Sequence, residues 1–255
     1  MKLADVPVAI LAGGRATRLG QLTADLPKAL IPLAGRPFVD HQLELLRRNG
    51  ARKIVFCAGH LGDQIEAHVG DGSRFGLEVA YSFDGERLLG TGGAVRRALP
   101  LLGDVCVVLY GDSYLDIDYQ AVLNVFEQRP EPALMTVFRN EGQWDTSNVV
   151  FRDGKVIRYD KRQRDPEMAY IDYGASLYRA SAIEQMPVDE PYDLGDLTHL
   201  LAAQGQLAGY EVTQRFYEVG SVSGIRETEQ YLLSGQAGRS STPNVDQHGA
   251  GVQES

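Results

Sequence analysis

Hydrophobic positions in the first half of the chain form short apolar runs separated by longer stretches of helical period, the texture of a parallel sheet with crossover helices. VAILA at 8–12 predicts the first strand. FVDHQLELLRRNG at 38–50 carries apolar residues at helical spacing, putting Phe38, Leu43 and Leu46 on one face, and Gly50 supplies a C-terminal cap. KIVFCAG at 53–59 predicts a second strand, a short helix follows around Gln64 to His68, and LEVAYSF at 77–83 predicts a third strand. GTGGAVRRAL at 90–99 opens a helix, and VCVVLYGD at 105–112 is almost continuously apolar, which suits a strand covered on both faces. LDIDYQAVLNVFEQR at 115–129 then predicts a helix and ALMTVF at 133–138 a strand.

From about residue 147 the pattern changes to paired strands. SNVVF and KVIRYDK flank Arg152, Asp153 and Gly154, and Asp-Gly between apolar runs is a strong hairpin signal. MAYIDYGASLYRA extends the β character to about 180, followed by a helix around Gly195 to Ala203, a strand at 207–213, the segment FYEVG and a last helix at 223–234. Residues 235–255 are rich in Gly, Ser and Gln with few large apolar groups, so they bury too little surface to offset the entropy of ordering and are expected to be a disordered tail. The remaining residues, 1–234, are expected to form one catalytic domain.

Composition narrows the class. The chain has 255 residues, 44% of them hydrophobic, enough for one sizeable core. Its formal charge of −9 opposes a general nucleic-acid surface, which needs a broad excess of Lys and Arg. Cys57 and Cys106 both sit in apolar runs and give no disulfide or zinc pattern, so they are expected to be small core residues. No apolar stretch approaches the roughly 18 residues of a membrane span, and the apolar run within MKLADVPVAILAGG is too short for a signal peptide, so a cytoplasmic enzyme without membrane or nucleic-acid partners is expected.

The local chemistry is concentrated at residues 11–28, LAGGRATRLGQLTADLPK. Gly13 and Gly14 lack a Cβ and let the backbone turn its N–H groups onto phosphate oxygens, while Arg15, Arg18 and Lys28 supply countercharge. Neither GxGxxG nor GxxxxGK[ST] is present. Asp112 follows a buried strand, and ligands gather at the carboxyl ends of such strands, so this carboxylate is well placed for Mg²⁺ shared with substrate phosphates.

LAGGRATRLG followed by LPKALIPLAGRPF resembles the sugar-phosphate nucleotidyltransferase family, as do GTGGA at 90–94, GDS at 111–113, YDK at 159–161, DYG at 172–174 and EVG at 218–220 in the same order. The resemblance implies a Rossmann-like, mostly parallel sheet flanked by helices, with an inserted β-rich sugar-binding subdomain at about 140–215. It also implies a reaction in which a sugar 1-phosphate attacks the α-phosphate of a nucleoside triphosphate, giving a nucleotide sugar and pyrophosphate.

Carried over position by position, Arg18 and Lys28 would hold the triphosphate and stabilise developing charge. Leu11, Ala12, Gly13, Gly14, Gly92 and Gly93 would contact the nucleotide, the last two by admitting close approach of the base. Lys161 would meet the sugar phosphate, and Asp160, Asp172 and Gly174 the sugar. Asp112 and Glu218 would be the magnesium ligands. The chain departs from the family pattern at Ala16, where glycine is usual, at Asp160, where Glu is usual, and at Glu218, where Asp is usual.

The compact length, the LPK spacing and GTGGAV look most like the heptose and mannose 1-phosphate guanylyltransferase branch, with uridylyltransferases as rivals. A catalytically weak nucleotide-binding regulator and a dinucleotide-dependent oxidoreductase are the alternatives outside that activity. His60 is expected to be structural, and Trp144 and Tyr170 either to line a sugar pocket or to pack the β-rich part.

Overall fold

The computed structural model describes residues 1–14, 25–144 and 146–235. In chain order the elements are β1 (Val8–Ala12), a small hairpin of β2 (Pro32–Leu33) and β3 (Arg36–Pro37), α1 (Phe38–Arg48), β4 (Lys53–Ala58), α2 (Gly62–Val69), β5 (Glu78–Phe83), α3 (Gly90–Leu102), β6 (Val105–Tyr110) and β7 (Ser113–Tyr114). They continue with α4 (Tyr119–Glu127), β8 (Ala133–Arg139), β9 (Val149–Arg152), β10 (Lys155–Tyr159), β11 (Tyr170–Arg179), α5 (Ala180–Ile183), α6 (Leu194–Ala203), β12 (Leu207–Val212), β13 (Tyr217–Glu218) and α7 (Val222–Leu233).

Nine strands form one sheet in the order β5-β4-β1-β6-β11-β8-β12-β10-β9. β5, β4, β1 and β6 are parallel, with Val8 of β1 opposite Ile54 and Val107, and β11 then runs antiparallel to β6. Alternation along β1 explains the two-sided burial: Val8 and Ile10 join one core cluster, and Ala9 joins the other. The first cluster is covered by α1, α2 and α4 through Leu43, Ile65 and Phe126; the second by α3, α5 and α6 through Val95, Ile183 and Leu197. This is the mixed α/β fold with helix-covered parallel strands that the sequence pattern predicts.

The β-rich part joins the same sheet. Asp153 (φ 50°) and Gly154 (φ 73°) turn β9 into β10, as the Asp-Gly signal predicts. β12 inserts between β8 and β10, parallel to the former and antiparallel to the latter. β9 also bridges β11 through Val149 and Tyr170, so β11, β8, β12, β10 and β9 close on themselves.

Two expectations are corrected here. Phe38 does not share a face with Leu43 and Leu46: with Leu45 it packs into a third cluster containing Leu33, Tyr114 and Val219. α1 is buried along two stripes because the β2–β3 hairpin and the residues around α7 lie on its second side. α4 begins at Tyr119 rather than at 115, since the Asp118 carboxylate accepts the Ala121 N–H (2.9 Å) and caps the helix there. Among the described residues no helix is long and apolar enough to cross a membrane. Cys57 and Cys106 are buried and free, and burial pushes both thiols up, Cys106 to about 12.

Candidate active site

The parallel strands deliver their ends to one rim. After β6, the Gly111 N–H donates to the Leu11 carbonyl (2.9 Å), and a Cβ at 111 would lie only 2.5 Å from that oxygen. The glycine therefore lets the chain leave the strand against β1 and carry Asp112 onto the rim. Asp112 Oδ2 accepts a hydrogen bond from Lys28 Nζ at 2.8 Å, an ion pair with both side chains partly exposed.

Glu218 reaches the same place from the far end of the chain. β13 pairs with β7, setting Glu218 opposite Ser113, and the Val219 N–H donates to the Asp112 carbonyl (2.8 Å). The Glu218 carboxylate accepts the Gly220 N–H and the Ser221 hydroxyl (2.7 Å), and Ser221 Oγ accepts the Gly224 N–H (3.0 Å) to cap α7. A Cβ built on Gly220 would lie 2.5 Å from Glu218 Oε2 and 3.4 Å from Asp112 Oδ2, so both carboxylates flank the same small space. Two oxygen donors suit a hard divalent cation that takes its other ligands from phosphate and water. Among the described residues no group of three or more His, Cys, Asp or Glu converges on a metal position.

Across the rim, Lys161 follows β10 with its ammonium 5.6 Å from the Tyr110 ring centroid and 5.7 Å from that of Tyr159. Asp172 lies where the β11–β8 register shifts; its Oδ1 accepts the Gly174 N–H (3.0 Å) and its own N–H donates to Asn148 Oδ1 (3.0 Å). Gly174 takes φ 104°, which favours glycine. Burial pushes the Asp172 carboxyl above its ordinary value, against the pull of Lys161 and the Gly174 N–H.

Asp112, Lys161, Asp172, Gly174 and Glu218 all line one cleft of about 770 Å³. Asp160 lines a separate cavity of about 220 Å³ on the other side of Lys161. Its Oδ1 accepts the N–H groups of Arg162 (2.7 Å) and Gln163 (2.8 Å), which hold the carboxyl below its ordinary range and fix the turn after β10.

Leu11 and Ala12 end β1, Gly13 and Gly14 follow it, and a Cβ on Gly13 would sit 3.2 Å from the Gly59 nitrogen. Arg15, Ala16 and Arg18 lie outside the described residues, as do 236–255 of the expected tail. Gly92 and Gly93 pack against the chain itself. Both N–H groups donate to the Tyr192 carbonyl (2.9 and 3.1 Å), and a Cβ on Gly93 would lie 2.5 Å from the Glu190 carbonyl oxygen. What approaches these glycines is the chain's own segment ahead of α6, because the two helices start side by side: the Thr91 hydroxyl donates to Asp193 and accepts the Leu194 N–H, and the Asp193 carboxylate accepts the Gly195 N–H to cap α6.

Trp144 lines the main cleft, whereas the Tyr170 ring packs edge-on against Phe151 at 5.3 Å. The sequence reading missed Arg215, Phe216 and Glu227, which also line that cleft. The signal available was the cation–aromatic run RFY directly before EVG.

The family model described as nucleotidyl transferase matches residues 8–234. The UTP–glucose-1-phosphate uridylyltransferase of Synechocystis sp. is 29% identical over 258 residues, covering 93% of this chain and 66% of the relative, so this chain spans about two thirds of that protein. The N-acetylmuramate alpha-1-phosphate uridylyltransferase of Neisseria meningitidis is 30% identical over 226 residues, covering 86% of this chain and 95% of the relative. Other relatives are named guanylyltransferases and thymidylyltransferases. Among solved structures, HddC from Yersinia pseudotuberculosis complexed with GMP-PN superposes with a TM-score of 0.75 at 22% identity, over 89% of this chain and 99% of that one, a likeness of fold.

Proposed function

This chain belongs to the nucleotidyl transferase family, and on that premise we propose that it joins a sugar 1-phosphate to a nucleoside triphosphate, releasing pyrophosphate and a nucleotide sugar. The observation that carries the reading is the convergence of Asp112, Glu218, Lys161 and Asp172 on one cleft from four separate segments of the chain.

In this reaction an oxygen of the sugar phosphate forms a bond to the α-phosphorus as the bond from that phosphorus to the β-bridging oxygen breaks. Such a transfer asks the protein for positioning and charge neutralisation. Lys161 holds the incoming sugar phosphate, its cation backed by the faces of Tyr110 and Tyr159. Asp172 accepts sugar hydroxyls, and Gly174 leaves room for the ring beside it. Lys28, with Arg18 ten residues earlier in the sequence, counters the triphosphate charge. Leu11, Ala12, Gly13 and Gly14 border the nucleotide at the strand end, where open α/β sheets gather ligands.

Asp112 and Glu218 are the residues that would hold Mg²⁺, which when bound supplies Lewis-acid stabilisation of phosphate charge. The product is of GDP-heptose or GDP-mannose type, for cell-surface polysaccharide synthesis; the motif spacing supports this branch. UDP-sugar formation is the second reading, supported by the names of the Synechocystis and Neisseria relatives.

Pyrophosphate release across GTP, UTP and dTTP, each paired with mannose, heptose and glucose 1-phosphates, tests the proposal. Release is expected with at least one pair, fastest with GTP. Silence with every pair from a folded protein that still binds triphosphate would replace it with the regulator reading. Asp112→Asn is expected to lower turnover at least about a hundredfold while leaving the thermal midpoint nearly unchanged.

A further inference from the structure

We propose that Trp144 and Arg215 form the wall of the cleft that reads the sugar, and that this wall selects a sugar 1-phosphate with an uncharged ring over one that carries a second acid. The inference rests on the transferase reading and deepens it.

Trp144 is the single tryptophan of the chain. It is 41% exposed and lines the same cleft as Lys161 and Asp172. Its position is held from several sides. The Arg215 guanidinium carbon stands 3.9 Å from the indole centroid and 4.9 Å from that of Tyr217, and Phe216 meets the indole edge-on at 6.4 Å. The Trp144 backbone N–H donates to Asn140 Oδ1 at 3.1 Å. A large apolar ring preset in a polar cleft is what a carbohydrate requires, because a pyranose offers C–H groups on its faces and hydroxyls at its rim. Gln143, Asn148 and Ser223 line the cleft and supply donors and acceptors for that rim.

Charge decides the kind of sugar. The ionisable lining among the described residues is Asp112, Asp172, Glu218 and Glu227 against Lys161 and Arg215. The Arg215 guanidinium is already paired with Glu227. With Lys161 holding the phosphate, a carboxylate on the sugar would enter among acids, where the other lining cation among the described residues, Arg215, is already paired with Glu227. An unpaired charge brought into such a cleft is costly. A hydroxylated ring without charge meets no such penalty. The acidic ring of N-acetylmuramate, the substrate in the name of the Neisseria relative, is therefore disfavoured here.

The full chain with Mg²⁺ gives a direct readout through the emission of Trp144. Titration with mannose 1-phosphate and glucose 1-phosphate is expected to shift that emission at concentrations where inorganic phosphate does not. N-acetylmuramic acid 1-phosphate is expected to require at least about tenfold more. In pyrophosphate-release kinetics, Trp144→Ala and Arg215→Gln are expected to raise KM for the sugar phosphate about tenfold, leaving KM for the triphosphate within about twofold. Trp144→Phe and Arg215→Lys, which keep ring and charge, should recover part of the loss and guard against a folding defect. An unresponsive Trp144, equal or better binding of the acidic sugar, or equal rises in both KM values would overturn the inference. No pyrophosphate from any pair, with emission still responding to the neutral sugar phosphates, would overturn the transferase reading and support the sugar-reading wall.

Discussion

His41 is locked into one protonation state by two neighbours. Its Nε2–H donates to the Leu33 carbonyl (2.9 Å), and its Nδ1 accepts from an Arg36 Nη2–H (3.2 Å). Burial opposes the charged form, and a proton on Nδ1 would also face the Arg36 guanidinium, so the His41 pKa is lowered from its ordinary value of 6.5 despite the Leu33 hydrogen bond. The unfolded chain then binds more protons than the folded one between that value and the depressed folded value, so stability rises with pH across this window and falls on acidification. The thermal midpoint is expected to drop as pH is lowered from about 7 to about 5, and His41→Gln is expected to flatten the slope. An unchanged slope in the variant would place the acid sensitivity elsewhere. At this scale, the place of Asp112 at the end of β6 was legible because a carboxylate directly after an apolar strand is visible in one segment, whereas Lys161 and Glu218 stood out only through the family resemblance. Arg215 was not legible, since its meaning comes from stacking on Trp144, a partner supplied by a distant loop.

The start of α3 shows how an element can carry a glycine signature for a reason of packing. GTGGA suggests a backbone opened to a ligand, yet Gly90, Gly92 and Gly93 lie against residues 186–194 of the same chain. Gly93→Ala would drive a Cβ into the Glu190 carbonyl, 2.5 Å away, and is expected to cost about 2–3 kcal/mol, measured by denaturant unfolding. A loss below about 0.5 kcal/mol would show that the 190–194 segment yields easily. Hairpins follow the same logic of local against distant cause. Asp153-Gly154 announces its turn, because both residue types tolerate positive φ. Ala34-Gly35 turns β2 into β3 with φ of 45° and 79°, and alanine gives no such warning. That turn is held from outside: Glu229, on α7, accepts the Ala34 N–H at 3.0 Å. Strands and helices with strong periodicity were therefore readable, whereas two-residue strands fixed by tertiary contacts were not.

Over the whole molecule, the middle of the chain and its last strand meet at the candidate metal position. Asp112 is delivered by the parallel half and Glu218 by the last strand before α7, and Gly224 is what lets them adjoin. A Cβ there would lie 2.1 Å from Glu218 Oε1. Gly224→Ala is expected to raise the Mg²⁺ concentration needed for half-maximal turnover by about tenfold or more. An unchanged requirement would remove Glu218 from the metal site. The closure of β9 onto β11 has a consequence for how copies of this chain behave when crowded. The sheet curls back on itself through the Val149–Tyr170 pair, and among the described residues β5 is the end strand of the large sheet with no second strand along its outer side. Even that side is blunted near its start, where the Val79 N–H donates to the Asp71 carbonyl (2.9 Å). The carboxyl end of β5 is a short open template for strand-to-strand aggregation, so a lysine or proline placed there would help to keep this protein from sticking to itself.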